Sequence, residues 1–323
     1  MIRSAGIVAA AALVLTACGG GGQIGDSGNQ ASSNKKMVLL PGVAAEPFYI
    51  SMECGFRDAA KAAGYEVDVQ APASFDAPQQ IPLVTGVLAN KPAAVLIAPT
   101  DDKALAAPMK QLKDAGIKVV EVDTKLEDTS VAVSTISSNN EQGGQLAAQT
   151  LNKLAAGKSG SVLVLNTKAG TSTTDARAKG FEDEIKKYPN LKYIGQQYTD
   201  NQPDQAASKV TATLAANPDL IGVFATNLNT GEGAATGLRN AGKTGAVNLV
   251  GFDASPKQVQ DLQGGVVQAL IAQDPAGIGK QGVEQAIAAI EGKEVKRDIE
   301  TNLVAITKDD ASANEKYFYK QKC

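Results

Sequence analysis

From residue 36 onward, short runs of apolar and β-branched residues alternate with longer stretches whose apolar positions recur at helical spacing. The runs at 37–40, 65–69, 94–98 and 118–122 predict strands. The stretches at 49–63, 78–90 and 103–115 predict helices, the first and third followed by Gly64 and Gly116. Strand, helix and strand at this spacing imply right-handed parallel crossovers, and the uninterrupted apolar runs suit a sheet covered on both faces. After a run at 131–134 and the polar segment Ser137-Ser138-Asn139-Asn140 the series restarts. Helices are expected at 142–154, 173–188, 204–216 and 231–241, with strands at 161–165, 192–198, 220–225 and 247–252. The expected fold class is α/β, with two Rossmann-like parallel-sheet lobes. Two strand-like runs, 267–273 and 302–306, remain after each lobe's contiguous series, with a helix at 277–291 between them. They predict a three-segment hinge, crossing near Ser138, near Gln273 and near Thr301. The first lobe would then hold 36–138 plus 274–301, and the second 139–273 plus 302–323.

Ahead of this body, Arg3 and the apolar small-residue stretch 5–15 read as a secretory signal, residues 1–17, too short for a permanent membrane span. It ends in Leu15-Thr16-Ala17-Cys18, which resembles the lipobox of bacterial lipoproteins and makes Cys18 the lipid-bearing residue. The plainer alternative is a signal peptide followed by an unmodified cysteine. Residues 18–35, rich in Gly, Ser, Asn and Gln, cannot bury a core and read as a flexible tether. The expected location is extracellular, with the protein anchored to the cell membrane by lipid.

Composition narrows the function. Lys and Arg number 31 against 34 Asp and Glu, so no basic field attracts nucleic acid. Histidine is absent, which removes the usual general base and the usual zinc ligand; no metal-ligand spacing occurs, and neither a metal nor a cofactor is expected. An enzyme is disfavoured. Beyond Cys18 the chain has Cys54 and Cys323, which in an oxidising compartment either pair or stay free; the even remainder points to a disulfide.

Two parallel-sheet lobes in an exported chain form a cleft between the loops that follow their strands, and such clefts bind small molecules. The polar, charged and aromatic residues just after strands are the candidates: Glu46, Phe48 and Tyr49, then Asp123 and Thr124, Asn227, and Asp253. Each alone could equally be a cap or turn residue.

The chain resembles the ribose-binding-protein type of periplasmic solute-binding proteins over almost its whole mature length. The likeness rests on Glu46-Pro47-Phe48-Tyr49, Ala98-Pro99-Thr100-Asp101, Val122-Asp123 and Ser138-Asn139-Asn140, with Ala169-Gly170-Thr171-Ser172, Arg177-Ala178-Lys179-Gly180-Phe181, Phe224-Ala225-Thr226-Asn227, Val250-Gly251-Phe252-Asp253 and Ile271-Ala272-Gln273 downstream. It implies the type I periplasmic binding protein fold. It also implies a pocket in which Phe48 and Tyr49 stack on the apolar face of a sugar. Asp123 and Asp253 would accept hydrogen bonds from hydroxyls, and Arg177, Asn227 and Gln273 would donate them. Asn139 belongs to the same set. Thr124 stands where the ribose binder has an arginine, Asn201 roughly where it has a third aromatic, and Leu228 where it has an aspartate. Those departures point away from ribose, toward another monosaccharide or a sugar alcohol, with Glu46 and Asn201 adding hydrogen bonds. The implied partners are this neutral solute and the permease subunits of an ABC importer, the protein acting as a monomer.

Two motifs mislead. Asn152 to Ser159 resembles a phosphate-binding loop but begins with Asn and lies at a helix end before a strand, so a helix cap with Gly157 explains it better. Gly231 to Gly237 nearly spells a dinucleotide fingerprint, with its last glycine one place late. A receptor that docks on a membrane signalling protein, and an exported sugar enzyme, are the competing functions.

Overall fold

The computed structural model describes residues 35–323. Cys18, the signal and nearly all of the tether lie outside the described residues.

One sheet is built from β1 (Lys36–Leu40), β2 (Glu66–Val69), β3 (Ala94–Ile97), β4 (Lys118–Val122), β5 (Ser134–Ser138) and β11 (Asp298–Thr301). Its order is β11-β5-β4-β3-β1-β2, and every pairing in it is parallel. The other is built from β6 (Gly160–Asn166), β7 (Leu191–Tyr198), β8 (Leu220–Ala225), β9 (Asn248–Phe252), β10 (Ala269–Ala272) and β12 (Val304–Thr307). Its order is β12-β10-β9-β8-β6-β7, with only the edge strand β12 antiparallel. The two sheets thus repeat one strand order, each in its own helix-covered lobe. This is the type I periplasmic binding protein fold.

Among the described residues, nine α-helices link the strands: α1 (Pro47–Ala62), α2 (Ala77–Asn90), α3 (Ala106–Asp114), α4 (Asn140–Ala155), α5 (Ser172–Ile185), α6 (Pro203–Ala216), α7 (Leu228–Asn240), α8 (Pro256–Gln263) and α9 (Pro275–Ile290). Successive residues of β1 feed opposite layers, as the two-residue period of a strand requires. Met37 and Leu39 pack with the α1 and α9 side, Val38 and Leu40 with the α2 and α3 side. Covered on both faces, these strands read as unbroken apolar runs.

Three elements depart from the expected pattern. The strand expected at 131–134 lies instead at β5, whose sequence Ser-Thr-Ile-Ser-Ser shows little apolar signal. Its hydroxyls are satisfied inside the protein: Ser134 Oγ donates to the Lys296 carbonyl, Thr135 Oγ1 to Glu121 and Ser137 Oγ to the Asp123 carbonyl. Strand β11, equally polar, pairs along β5 and was not expected as a strand. Helix α8 was also missed, although Ser255 and Gln258 form a reciprocal capping box at its start.

The chain passes between sheets after β5, after β10 and after β11. The side chains at these passages meet: Ser138 Oγ donates to Gln273 Oε1 at 2.8 Å and lies 3.2 Å from Thr301 Oγ1. The tail does not stay wholly with the second lobe, as a boundary at 302–323 would have it. Beyond a short 3-10 helix (Ala311–Tyr317), Cys323 is disulfide-bonded to Cys54 on α1, with Cα atoms 5.3 Å apart.

Helix α5 is held by backbone-to-backbone packing on α4. A Cβ on Gly180 would stand 2.0 Å from the Glu141 carbonyl oxygen, and one on Gly144 would stand 1.9 Å from that of Arg177. We expect Gly180→Ala to force the two helices apart and to cost about 1–3 kcal/mol of stability. Urea unfolding of parent and variant measures it; equal midpoints would contradict the packing.

Candidate functional site

Parallel strands aim their C-terminal loops at one edge, and the two edges face each other across a cavity with about 380 Å³ of empty space, part of it open to solvent. The segments after β1, β2 and β4 supply Glu46, Phe48 and Tyr49 at the start of α1, Phe75, Asp123 and Thr124. The segments after β6 to β10 supply a cluster of threonines and Arg177 around the start of α5, together with Asn201, Asn227, Asp253 and Gln273. All the residues expected to contact a ligand line this cavity except Asn139. That residue caps α4: its Oδ1 accepts from the Gln142 amide and its Nδ2 donates to Glu300, in a neighbouring groove. Capping turns the next residue, Asn140, inward.

Asn140 is what fixes Arg177. Its Oδ1 accepts from Arg177 Nε at 2.8 Å, while its own Nδ2 donates to Ser137 Oγ and the Ser138 carbonyl. Arg177 Nη1 donates to the Thr226 carbonyl at 2.9 Å, and the guanidinium lies over the Phe252 ring, 3.7 Å from its centroid. Nη2 is left over. Among the described residues, the buried side-chain atoms without a hydrogen-bond partner are Arg177 Nη2, Thr124 Oγ1, Thr171 Oγ1 and Thr100 Oγ1. All but the last belong to residues lining the cavity. Buried polar groups are paired in nearly all native proteins, so three unpaired atoms on residues lining one cavity set it apart.

Opposite them stand the acids. Asp123 and Asp253 follow β4 and β9, which hold the same position in their sheets, and both residues adopt left-handed backbone (φ 65° and 80°). Such conformations are strained for a non-glycine residue and persist where surrounding structure holds them. Asp123 Oδ2 accepts from Tyr49 Oη at 2.9 Å. Asp253 accepts from Gln273 Nε2 (2.7 Å), Tyr319 Oη (2.8 Å) and the Leu228 amide (2.9 Å). Asn227 combines two roles: it caps α7 through Thr230 and donates to Asn201 Oδ1 at 2.7 Å.

The lobes touch at the rim of the cavity. Asn229 Nδ2 donates to Glu46 Oε2 at 3.1 Å, the Lys125 amide donates to Ser172 Oγ at 3.0 Å, and Lys168 lies over the Phe75 ring. Burial at this junction pushes Glu46 up to about 8, with help from the charges of Asp253, Asp123 and Glu232. The residue as a whole is half-buried; its carboxyl is the enclosed end. Asp123 is raised to about 6, chiefly by burial and against the pull of Arg177 and Tyr49. Burial raises Asp253 as well, again against Arg177, and lowers the guanidinium of Arg177.

Several residues of the site escaped the sequence. Thr171, Thr173 and Thr174 sit where α5 begins after β6; their spacing at a helix start facing a strand edge was the available signal. Phe75, Asn229 and Tyr319 carried no such signal. Among the described residues no cluster of acids and cysteines could hold a metal ion, and no helix is long and apolar enough to cross a membrane.

Fold and cavity together define a two-lobed binding protein for small polar solutes. The chain belongs to the periplasmic binding protein domain family, whose profile matches residues 37–294, and within it to the type I sugar-binding proteins of ABC transporters. The crystal structure of an ABC transporter solute binding protein from Agrobacterium vitis bound with alpha-D-tagatopyranose is 38% identical. It superposes with a TM-score of 0.86 over 88% of this chain and 99% of that one. The D-apiose import binding protein of Actinobacillus succinogenes is 31% identical over 279 residues, 84% of this chain and 89% of the relative. The ribose import binding protein of Escherichia coli (strain K12) is 30% identical over 278 residues, 86% of this chain and 92% of the relative.

The raised carboxyls give the folded protein a pH dependence of definite sign. Glu46 binds its proton more tightly folded, at about 8 against an ordinary 4.5, so its contribution is fully present below about 4.5 and is lost as pH rises to about 8. Asp123 acts in the same sense between 3.8 and about 6. We expect the melting temperature of the parent to fall from pH 5 to pH 8 and that of Glu46→Gln to fall less. Parallel melting curves across that range would contradict the burial of the Glu46 carboxyl.

Proposed function

We propose that this protein captures a neutral monosaccharide or sugar alcohol outside the cytoplasm and hands it to an ABC importer, its lobes closing on the solute about the three-segment hinge. The observation that carries the reading is the convergence of Arg177 Nη2 and the Thr124 and Thr171 hydroxyls, unpaired and buried, on a cavity that also holds three carboxyls. A polyol's oxygens accept from Arg177 and its hydroxyls donate to Asp123 and Asp253 in charge-assisted bonds. Its C–H faces cover Phe48 and Phe75. A sugar phosphate or sugar acid would instead bring a further negative charge against Asp123 and Asp253 and beside Glu46, whose carboxyl burial keeps mostly protonated, with Arg177 the one cation lining the cavity among the described residues.

Closure follows from the division of the groups. Asp123 and Tyr49 belong to one lobe, Arg177 and Asp253 to the other, so a solute bound to both draws them together and is shielded from water. Ser138, Gln273 and Thr301 tie the passages between the sheets and form the pivot. The protein works as a monomer without catalysis. It hangs from the membrane by a lipid on Cys18; incorporation of labelled palmitate that vanishes in Cys18→Ser is the expected result, and equal labelling of both would rule the anchor out.

Calorimetry with D-tagatose, D-apiose, D-ribose and xylitol tests the solute class. For whichever of these the parent binds, Arg177→Ala and Asp253→Ala should each weaken binding by roughly 1–3 kcal/mol, because buried partners are left unsatisfied. A parent that prefers a phosphorylated or acidic solute, or variants that bind as tightly as the parent, would overturn the assignment.

A further inference from the structure

Asp253 depends on a residue that lies outside the cavity and near the end of the chain. Tyr319 Oη donates to Asp253 Oδ1 at 2.8 Å and lies 3.3 Å from the Gln273 amide, which donates to it. The Tyr319 amide donates to the Ala254 carbonyl at 3.0 Å, fixing the segment beside the turn that carries Asp253. The same ring meets Phe48 edge-on, centroids 5.7 Å apart, so one buried side chain touches the acid of the second lobe and the aromatic wall of the first. The next residue already belongs to the first lobe: the Lys320 amide donates to Ser51 Oγ at 2.7 Å. Residues 320–323 are exposed, and an exposed segment without regular secondary structure is mobile unless tied down. Here the tie is the bond from Cys323 to Cys54, on the helix that also carries Phe48 and Tyr49.

We propose that residues 319–323 form a covalent strap whose purpose is to position Tyr319 against Asp253, making Tyr319 a positioning residue for the ligand site and the disulfide a determinant of its affinity. The part concerning affinity rests on the function proposed above; the part concerning Asp253 does not. Three residues separate Tyr319 from the cystine, so loss of the disulfide frees the strap from its end inward and exchanges the tyrosine hydroxyl for water. Asp253 then keeps Gln273 and the Leu228 amide as donors and faces Arg177 on α5 and the acids Glu46 and Asp123 across the cavity. With one donor fewer and two acids nearby, its ionised form is less favoured, and ionised Asp253 is the form that accepts from a solute hydroxyl.

The direct test needs no ligand. The Asp253 carboxyl is followed by carbon-13 NMR during a pH titration, its signal assigned by its loss in Asp253→Asn. Samples are the parent, the parent held in a phosphine reductant, Tyr319→Phe, and the double variant Cys54→Ser with Cys323→Ser. We expect the Asp253 midpoint to rise in Tyr319→Phe, and to move the same way on reduction and in the double variant. An unmoved midpoint in Tyr319→Phe would show that Tyr319 does not act on Asp253. An unmoved midpoint in both the reduced parent and the double variant would show that the strap does not position Tyr319. The reduced parent decides the matter if the double variant fails to fold. The second arm is calorimetry with D-tagatose, where Tyr319→Phe should weaken binding roughly tenfold, more at acid than at neutral pH. A loss independent of pH would mean a merely structural role for the ring. If the parent does not bind D-tagatose, the assignment of that sugar fails while the NMR arm still decides the strap.

Discussion

A buried guanidinium governs this structure. Removing a cation from water is costly unless its surroundings replace the lost hydration, and Arg177 is surrounded on nearly every side. Asn140 and the end of β8 take two of its nitrogens, and the Phe252 ring takes one face. Each of these depends in turn on something further away. Asn140 stands at the first passage between the lobes, Phe252 ends the strand that delivers Asp253, and α5 reaches α4 through two glycines. The two aspartates that counter its charge come from opposite lobes. One cation shared between two halves makes the electrostatics of the cleft a property of the assembled pair rather than of either lobe.

The passages between the sheets and the cavity share one hydrogen-bonded system. Ser138, beside the first passage, donates to Gln273, and Gln273 donates to Asp253. The side chain that ties the passages between the sheets thus also lines the cavity. Short, buried and fully paired chains of this type favour discrete arrangements over gradual bending.

Much of the fold was legible because covered strands must be apolar throughout, as in 37–40, 94–98 and 220–225, and because helices between them carry a 3.6-residue period. Legibility failed where polarity was satisfied internally. The hydroxyl-rich β5 and the charged β11 pair with each other along one edge, and nothing in their composition marks them as strands. For the cavity, the rule that ligands meet the loops after parallel strands found the acids, Thr124, Asn227 and the aromatics of α1, while Arg177 and Gln273 came from the family resemblance. The same rule could not find Asn140 or Tyr319, which act through other side chains and are joined to them only by the folded path of the chain. The resemblance, which supplied Asn139, could not separate it from Asn140: adjacent residues at a helix start point in different directions, and which one caps depends on backbone angles that a sequence does not display.

The interleaving of the lobes has a consequence for how the chain comes to fold. Neither half is a continuous stretch, since β5 waits for β11 and Ser134 for its partner carbonyl 162 residues later. During synthesis the first sheet therefore keeps an open edge until β11 has been made, and contacts of such long range form late and slowly. Two lobes that look like independent bodies cannot be finished one after the other; they must be completed together, in the last step.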